Sequence, residues 1–205
     1  MAKSKSSKIW LHEHSQDIYV QRRTKEGQRA RSVYKLEEIQ ARYKILKSGY
    51  NIVDLGAAPG SWAEFAAKVV GPAGLVVAID LLPIKPIPNV TFYQGDFTDP
   101  TIKNKILEHV KNKKVDVVLS DMAPNLSGID IADQARSIEL AESALAFALE
   151  TLKPNGTFLV KVFQGEDFPA FYKKMQQAFS SVKTIKPEAS RSRSKEIYLL
   201  AGRLI

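Results

Sequence analysis

A lysine inside the apolar run Thr157-Phe158-Leu159-Val160-Lys161-Val162-Phe163 is the most demanding residue in the chain. A central parallel strand buries both faces, and an unpaired ammonium there costs several kcal/mol. Lys161 therefore reaches a polar cavity at the strand's carboxyl end or is paired. Acids stand at the ends of other short apolar runs: Asp54 after Ile52-Val53, Asp80 after Leu75-Val76-Val77-Ala78-Ile79, Asp96 in Gly95-Asp96-Phe97, and Asp121 after Val117-Val118-Leu119-Ser120. In an open parallel sheet, ligands gather at the carboxyl ends of strands. The chemistry on offer is capture of a cationic ligand by carboxylates and proton handling by a buried amine.

The first acid opens D-L-G-A-A-P-G-S-W, residues 54–62, an apolar strand turning through glycines into a helix. Gly56 and Gly60 let backbone approach a ligand, Ala57 and Pro59 between them are candidate contacts in the same turn, and the free N–H groups at the helix start, near Trp62, face it. The spacing is not G-x-G-x-x-G, so a dinucleotide pyrophosphate is a poor guest. An acid beside a small-residue turn better suits a ligand with a cationic amino group and no phosphate, and S-adenosylmethionine is such a ligand. The alternative is a tight turn and nothing more. Asp80 is placed to accept both ribose hydroxyls of a nucleoside, or else to cap the next turn. Asp96 can accept an adenine amine with Phe97 packed nearby, or cap the helix that opens at Thr98-Asp99-Pro100 and runs toward Lys111.

The elements that must position these residues read as α/β. Strands are expected at 51–55, 75–80, 90–93, 115–120, 157–163, 182–186 and 196–201, the last antiparallel. Ser32 can cap a helix carrying Val33, Leu36, Ile39 and Gln40 at spacings of three and four, with Lys35 beside the stripe. A long amphipathic helix is expected over 133–152, with Ile138, Ala141, Leu145, Ala148, Leu149 and Leu152 on one face, then a turn at 153–156. A further helix covers 167–179. No internal repeat or linker interrupts 32–205, which reads as a single domain behind a basic arm, 1–31.

The chain has 205 residues, 44% hydrophobic and 25% charged, enough for one full α/β core. Its net charge of +8 points to a polyanionic partner. In the arm, Lys3, Lys5, Lys8, Arg22, Arg23, Arg29 and Arg31 interleave with Trp10, Ile18 and Tyr19, a pattern that suits phosphate contact with base stacking, or a solvated arm. Arg191, Arg193 and Lys195 form a second basic patch. With no cysteine, disulfides, thiolate metal sites and cysteine nucleophiles are excluded. His12 and His14 lack a third ligand, so no metal is expected, and His109 reads as a surface residue. No apolar run approaches the ~20 residues of a membrane span, and no signal-peptide core opens the chain, so a cytoplasmic protein is expected.

The turn after the fourth strand, S-D-M-A-P-N, is not the N-P-P-Y type that amino-group DNA methylases use, and base-carbon methylation through cysteine is ruled out by composition. Lys35, Asp121, Lys161 and Glu196 match in order and spacing the K-D-K-E tetrad of ribose 2′-O-methyltransferases. With W-L-H-E-H, R-S-V-Y-K-L-E-E-I-Q, D-L-G-A-A-P-G-S-W, L-V-K-V-F-Q-G and R-S-R-S-K-E-I-Y, nearly the whole chain resembles the FtsJ/RrmJ (RlmE) family. Ser61 departs from that pattern, where a second glycine is common. The resemblance implies a Rossmann-like class I S-adenosylmethionine-dependent methyltransferase, with helices on both faces of a seven-stranded, mostly parallel sheet. It also implies cofactor contacts from Gly60, Trp62, Asp80, Asp96 and Asp121. The implied substrate is a uridine in the A loop of 23S ribosomal RNA, within the large subunit, for a monomeric enzyme. Transfer RNA, an mRNA cap, or a silent RNA-binding assembly role are the alternatives. In such a reaction Lys161 would orient the sugar hydroxyl and either accept its proton as a neutral amine or steer it as a cation. Lys35 and the sulfonium would favour the neutral form of Lys161 by repulsion, while Asp121 and Glu196 oppose that shift and hold both lysines in place.

Overall fold

The structure, a computed structural model, describes residues 17–110, 114–125, 127–191 and 194–205. Helix α1, Ile18–Glu26, falls in the segment read from sequence only as a basic arm. It buries no residue, so no apolar periodicity announces it. Its ends define it: the Asp17 carboxylate accepts the N–H of Tyr19 at 3.0 Å, and Gly27 stops it in the left-handed conformation. Helix α2, Val33–Tyr43, buries Val33, Leu36 and Ile39. Ser32 makes no side-chain cap, because its own backbone is already helical (φ −59°, ψ −22°). Its carbonyl works instead, accepting the indole N–H of Trp62 at 2.8 Å.

The chain continues through β1 (Asn51–Leu55), α3 (Ser61–Val70), β2 (Leu75–Asp80), β3 (Val90–Gln94), α4 (Pro100–His109) and β4 (Val115–Ser120). It closes with α5 (Asp130–Thr151), β5 (Leu152–Phe163), α6 (Phe168–Ala178), β6 (Phe179–Ile185) and β7 (Glu196–Leu204). The seven strands lie in the order β3-β2-β1-β4-β5-β7-β6. All are parallel except β7, which runs antiparallel to β5 and β6. The chain winds outward from β1 to β3 and then returns to the other side of β1 with β4. Strand order thus reverses between β1 and β4, and the crevice above their carboxyl ends is the place for a ligand.

Strand parity divides the core in two. Val53, Leu55, Val118, Phe158, Val160, Val162, Ile197 and Leu199 pack with residues of α4, α5 and α6. Ile52, Leu119, Leu159, Tyr198 and Leu200 face the other way, against Leu36 and Ile39 of α2 and Trp62, Ala63 and Ala66 of α3. With a period of two, Asp54, Lys161 and Glu196 project on the same side as Ile52, Leu159 and Tyr198. That face is the one roofed by the helix carrying Lys35.

Some local expectations differ from the structure. Helix α5 starts at Asp130, not 133, because Asp133 folds back within its first turn to accept the N–H groups of Ser127 (2.8 Å) and Gly128 (3.2 Å). Leu149 is 42% exposed at the rim of a buried face set by Ile138, Ala141, Ala144, Leu145 and Ala148. Leu152 belongs to β5, paired with Val115, while Thr157 pairs with Val117 and residues 153–156 bulge between them; Pro154 brings no N–H to the ladder. His109 is half-buried rather than superficial, 3.0 Å from the Thr91 hydroxyl and edge-on to Tyr93.

Candidate active site

Lys161 is 8% exposed, and its Nζ donates to the Asp121 carbonyl at 2.6 Å and stands 3.1 Å from Asp121 Oδ1. Lys35, also 8% exposed, brings its Nζ to 2.5 Å from Glu196 Oε1. That contact is an ion pair by distance but lacks hydrogen-bond geometry, so the Lys35 ammonium keeps directions free. The two pairs meet at one residue, because the ring under Lys35 and the hydroxyl on Asp121 belong to the same tyrosine, Tyr198. Fully buried, it donates its hydroxyl to Asp121 Oδ1 at 2.6 Å and carries Lys35 Nζ 5.7 Å from its ring centroid. Its ring also packs 5.8 Å from Trp62. The indole thus braces both Tyr198 and, through the Ser32 carbonyl, the start of the helix that delivers Lys35.

Burial pushes the Asp121 carboxyl up, but the Lys161 and Lys35 charges and the Tyr198 hydroxyl outweigh it and hold the group below its usual range. Burial likewise opposes ionisation of Glu196, and the Lys35 charge and contact, with Lys161, bring it below the ordinary value. Both acids are ionised at neutral pH. Tyr198 is driven well above the usual tyrosine value, first by burial and then by Asp121 and Glu196, and stays a donor.

Asp54 is different. It is 1% exposed and neither oxygen has a hydrogen-bond partner. Burial, then the charge of Asp121, and less strongly that of Asp80, lift its carboxyl well above normal. The nearby Ala63 amide offsets only part of this, without hydrogen-bonding geometry. A buried acid without a partner at the β1/β4 crevice is what a ligand ammonium would neutralise. Beside it two glycines let side chains close on the backbone of the turn. Gly56 (φ +72°) would drive a Cβ into Met122, and Gly60 (φ +98°) would set one 2.6 Å from Ile87 Cδ1. The first amides of α3 have no partner within the helix and no side-chain cap.

Around this cradle the other expected contacts divide. Ala57 is buried and Pro59 exposed, on a turn fixed by the bonds from Gly56 and Ala57 N–H to the Ile79 carbonyl (2.9 and 3.0 Å). Asp80 accepts the amides of Ala58 (2.7 Å) and Leu82 (2.8 Å), so it pins the glycine turn while each oxygen keeps accepting capacity. Asp96 is exposed and uses Oδ1 for the Thr98 amide and hydroxyl; the helix cap is Asp99. Phe97 is buried edge-on to Phe147. The Trp62 ring points into the packing described above, which leaves its backbone N–H for a ligand. These residues fit S-adenosylmethionine: an acid for its ammonium, open amides for its carboxylate, acids for its sugar and base.

The expected RNA contacts are less uniform. Arg29 is used inside the fold, paired with Glu64 at 3.0 Å and donating to the carbonyls of Lys85 (3.1 Å) and Pro86 (2.9 Å). It clamps the proline loop 83–88 to α3. Arg31 pairs with Asp17 and donates to the Ala189 carbonyl at 2.7 Å. Arg22 bridges Glu26 and Glu37 at the surface, and Arg23 donates to the Gln28 carbonyl. Lys195 forms an exposed bridge to Asp130, and Arg191 is half-buried. Lys3, Lys5, Lys8, His12, His14 and Arg193 lie outside the described residues. Among the described residues, no group of His, Cys, Asp and Glu could hold a metal, and no helix is long and apolar enough to cross a membrane. Tyr198 is the site residue that sequence reasoning missed. Its signal was present, two residues after Glu196 and so on the same face of one strand.

A doubly wound sheet with this cradle at its switch point and a lysine–carboxylate pocket beside it defines a Rossmann-like S-adenosylmethionine-dependent methyltransferase. Comparison with known proteins narrows the class. The sequence model described as FtsJ-like methyltransferase matches residues 28–204, and the chain belongs to that family. It is 55% identical over 200 residues to the ribosomal RNA large subunit methyltransferase E of Azoarcus sp. (strain BH72), covering 98% of each chain. It is 53% identical to the protein of the same name from Acinetobacter baumannii, over 96% of this chain and 91% of that one. Among solved structures, a protein assigned as a ribosomal RNA methyltransferase of Plasmodium falciparum superposes with a TM-score of 0.78 at 31% identity, covering 86% of this chain and 98% of the other. Aeropyrum pernix fibrillarin, solved with natively bound S-adenosyl-L-methionine, shares the fold at a TM-score of 0.56 and 16% identity, over 82% and 72% of the two chains.

Proposed function

We propose that this protein methylates the 2′-hydroxyl of a ribose in large-subunit ribosomal RNA, at a uridine of the 23S A loop. The observation that carries this reading is the buried Lys161–Asp121 pair beside Lys35 and Glu196, opening at the same crevice as the unpartnered Asp54. S-adenosylmethionine, when bound, supplies an electrophilic methyl group on a sulfonium. The protein's task is to bring a weak nucleophile into line and manage one proton. Lys161, fixed through Nζ by the Asp121 carbonyl, would orient the sugar oxygen and, as the neutral amine left once its own proton has passed to solvent, would take the hydroxyl proton as the methyl group is transferred. Lys35, with hydrogen-bonding directions left over, steadies the oxygen as charge develops on it. Asp121 and Glu196 hold the two lysine side chains in register, and Tyr198 holds Asp121.

The names of the relatives from Azoarcus and Acinetobacter support the large-subunit substrate over transfer RNA or an mRNA cap. In this reading residues 1–31 act as an RNA-facing arm on a single domain, 32–205, and the protein works as a cytoplasmic monomer. Incubation with methyl-labelled S-adenosylmethionine and separated ribosomal subunits, followed by mapping of 2′-O-methyl nucleotides, tests it. Label is expected at one uridine of the large-subunit RNA. Label confined to small-subunit or transfer RNA would overturn the assignment.

A further inference from the structure

Away from the pocket, the cations Arg42, Lys44, Lys47 and Lys183 are all exposed, and none has an acidic partner among the described residues. They sit at the carboxyl end of α2, on the loop after it and on edge strand β6. Arg42 and Lys183 flank one ring: the Arg42 guanidinium carbon is 5.3 Å and Lys183 Nζ 5.5 Å from the Tyr43 centroid. Lys47 Nζ lies 5.8 Å from the ring of Tyr50. The local sequence offers no neutralisation, since residues 39–50 and 168–187 contain no Asp or Glu. Glu38, one turn before Arg42, turns away to accept the amides of Glu188 (2.8 Å) and Ala189 (3.4 Å). Elsewhere among the described residues many cations are paired, Arg22, Arg29, Arg31, Lys103, Lys153 and Lys174 each to an acid, and those without such a pair, such as Lys25, Lys85 and Lys105, are not gathered at a shared ring.

We infer that this ridge is a second docking surface for the RNA phosphate backbone, holding a segment that flanks the target nucleotide. Arg42 and Lys183, gathered at one ring with Lys44 and Lys47 following on the same loop, repel one another, and a polyanion relieves that repulsion while releasing counterions. Cations lie against the tyrosine rings, so the rings serve to place charges and not to stack bases. The surface therefore contributes affinity and register without sequence preference. Its placement suits that role: Lys35 and Arg42 are seven residues apart on one side of α2, about 10 Å along the axis. The inference rests on the proposed RNA methylation for its partner, but its test reads RNA binding separately.

The test uses the full chain bearing Arg42→Gln, Lys44→Gln, Lys47→Gln and Lys183→Gln. A control carries Lys103→Gln, Lys105→Gln, Lys114→Gln and Lys153→Gln, which removes the same charge from another face. Affinity for large-subunit RNA is measured without cofactor across a salt series, and methyl transfer to large subunits is measured alongside. The ridge variant is expected to bind at least tenfold more weakly, with a slope of log affinity against log salt shallower by up to about 0.9 per residue. KM for RNA should rise while kcat at saturation and cofactor affinity stay unchanged, and the control should behave as wild type. Unchanged affinity and slope, or an equal loss in the control, would overturn the ridge. Wild-type protein that binds RNA with the expected slope but never methylates it would remove the proposed reaction and leave the ridge standing.

Discussion

Lys161 and Tyr198 stand directly opposite each other across the β5–β7 ladder, and both reach the same oxygen of Asp121, at 3.1 and 2.6 Å. The antiparallel turn of β7 makes this possible, because it brings Glu196 and Tyr198 down the same face on which Lys161 emerges. One carboxylate thus takes a charge from one strand and a hydroxyl from the next. A buried ammonium is tolerable only with such complete partnering.

Replacing Tyr198 with Phe keeps the ring against Trp62 and under Lys35 but removes the donor to Asp121. A hydrogen bond to a charged group is worth about 1.5–3 kcal/mol, so kcat should fall by roughly tenfold to a hundredfold with cofactor affinity little changed. The lost bond had lowered the Asp121 pKa, so the acid limb of the pH–rate profile should move toward neutrality. Steady-state kinetics between pH 5 and 9 would show it; an unmoved limb would detach Tyr198 from Asp121.

Lys161→Ala should lower methyl transfer by about 10²–10⁴-fold, the usual range for loss of a general base. Calorimetric binding of S-adenosylmethionine should survive, because the unpartnered acid and the glycine turn are untouched. Lys161→Met restores much of the volume and should recover thermal stability without recovering turnover. Wild-type-like kcat in either variant would take Lys161 out of the chemistry.

Much of this arrangement was legible in the chain. Period-two alternation places Lys161, Glu196 and Asp54 on one face, and an ammonium among valines demands acids nearby. Tyr198 was passed over because an aromatic in an apolar strand looks like core, and only the register to β5 shows what its hydroxyl meets. Arg29 and Arg31 read as RNA contacts because sequence displays charge but not partner; Glu64, Asp17 and two loops claim them. Helix α1 escaped notice because it is held by caps and surface links such as Tyr34–Glu26 (3.0 Å), not by an apolar stripe. The β5 bulge depended on pairing with β4, which no local pattern encodes.

Gly56→Ala places a methyl group in a left-handed backbone and against Met122, the neighbour of Asp121. Strain of this kind costs about 1–3 kcal/mol. The midpoint of thermal unfolding should drop by several degrees, and KM for S-adenosylmethionine should rise more than kcat falls, since the turn and not the lysine is displaced. A variant with wild-type stability and cofactor affinity would show that the turn does not need its glycine.

Asp54→Asn separates the fold's interest from the ligand's. The folded-state pKa of this carboxyl lies well above the ordinary 3.8, so the native protein holds the proton more tightly than the unfolded chain. Stability therefore falls as pH rises from about 4 toward the folded value, and at pH 7 the wild type has lost part of the stability it has at pH 4. The asparagine variant escapes that loss. It should melt higher than wild type at pH 7, with the difference shrinking toward pH 4. Saturating S-adenosylmethionine should reverse the order, because its ammonium stabilises the charged wild-type carboxylate and finds no charge in the variant. Melting curves across pH, with and without ligand, decide it. An Asp54→Asn protein that is less stable at pH 7, or that keeps the full ligand-induced shift, would mean that Asp54 holds the strand end and does not hold the cofactor.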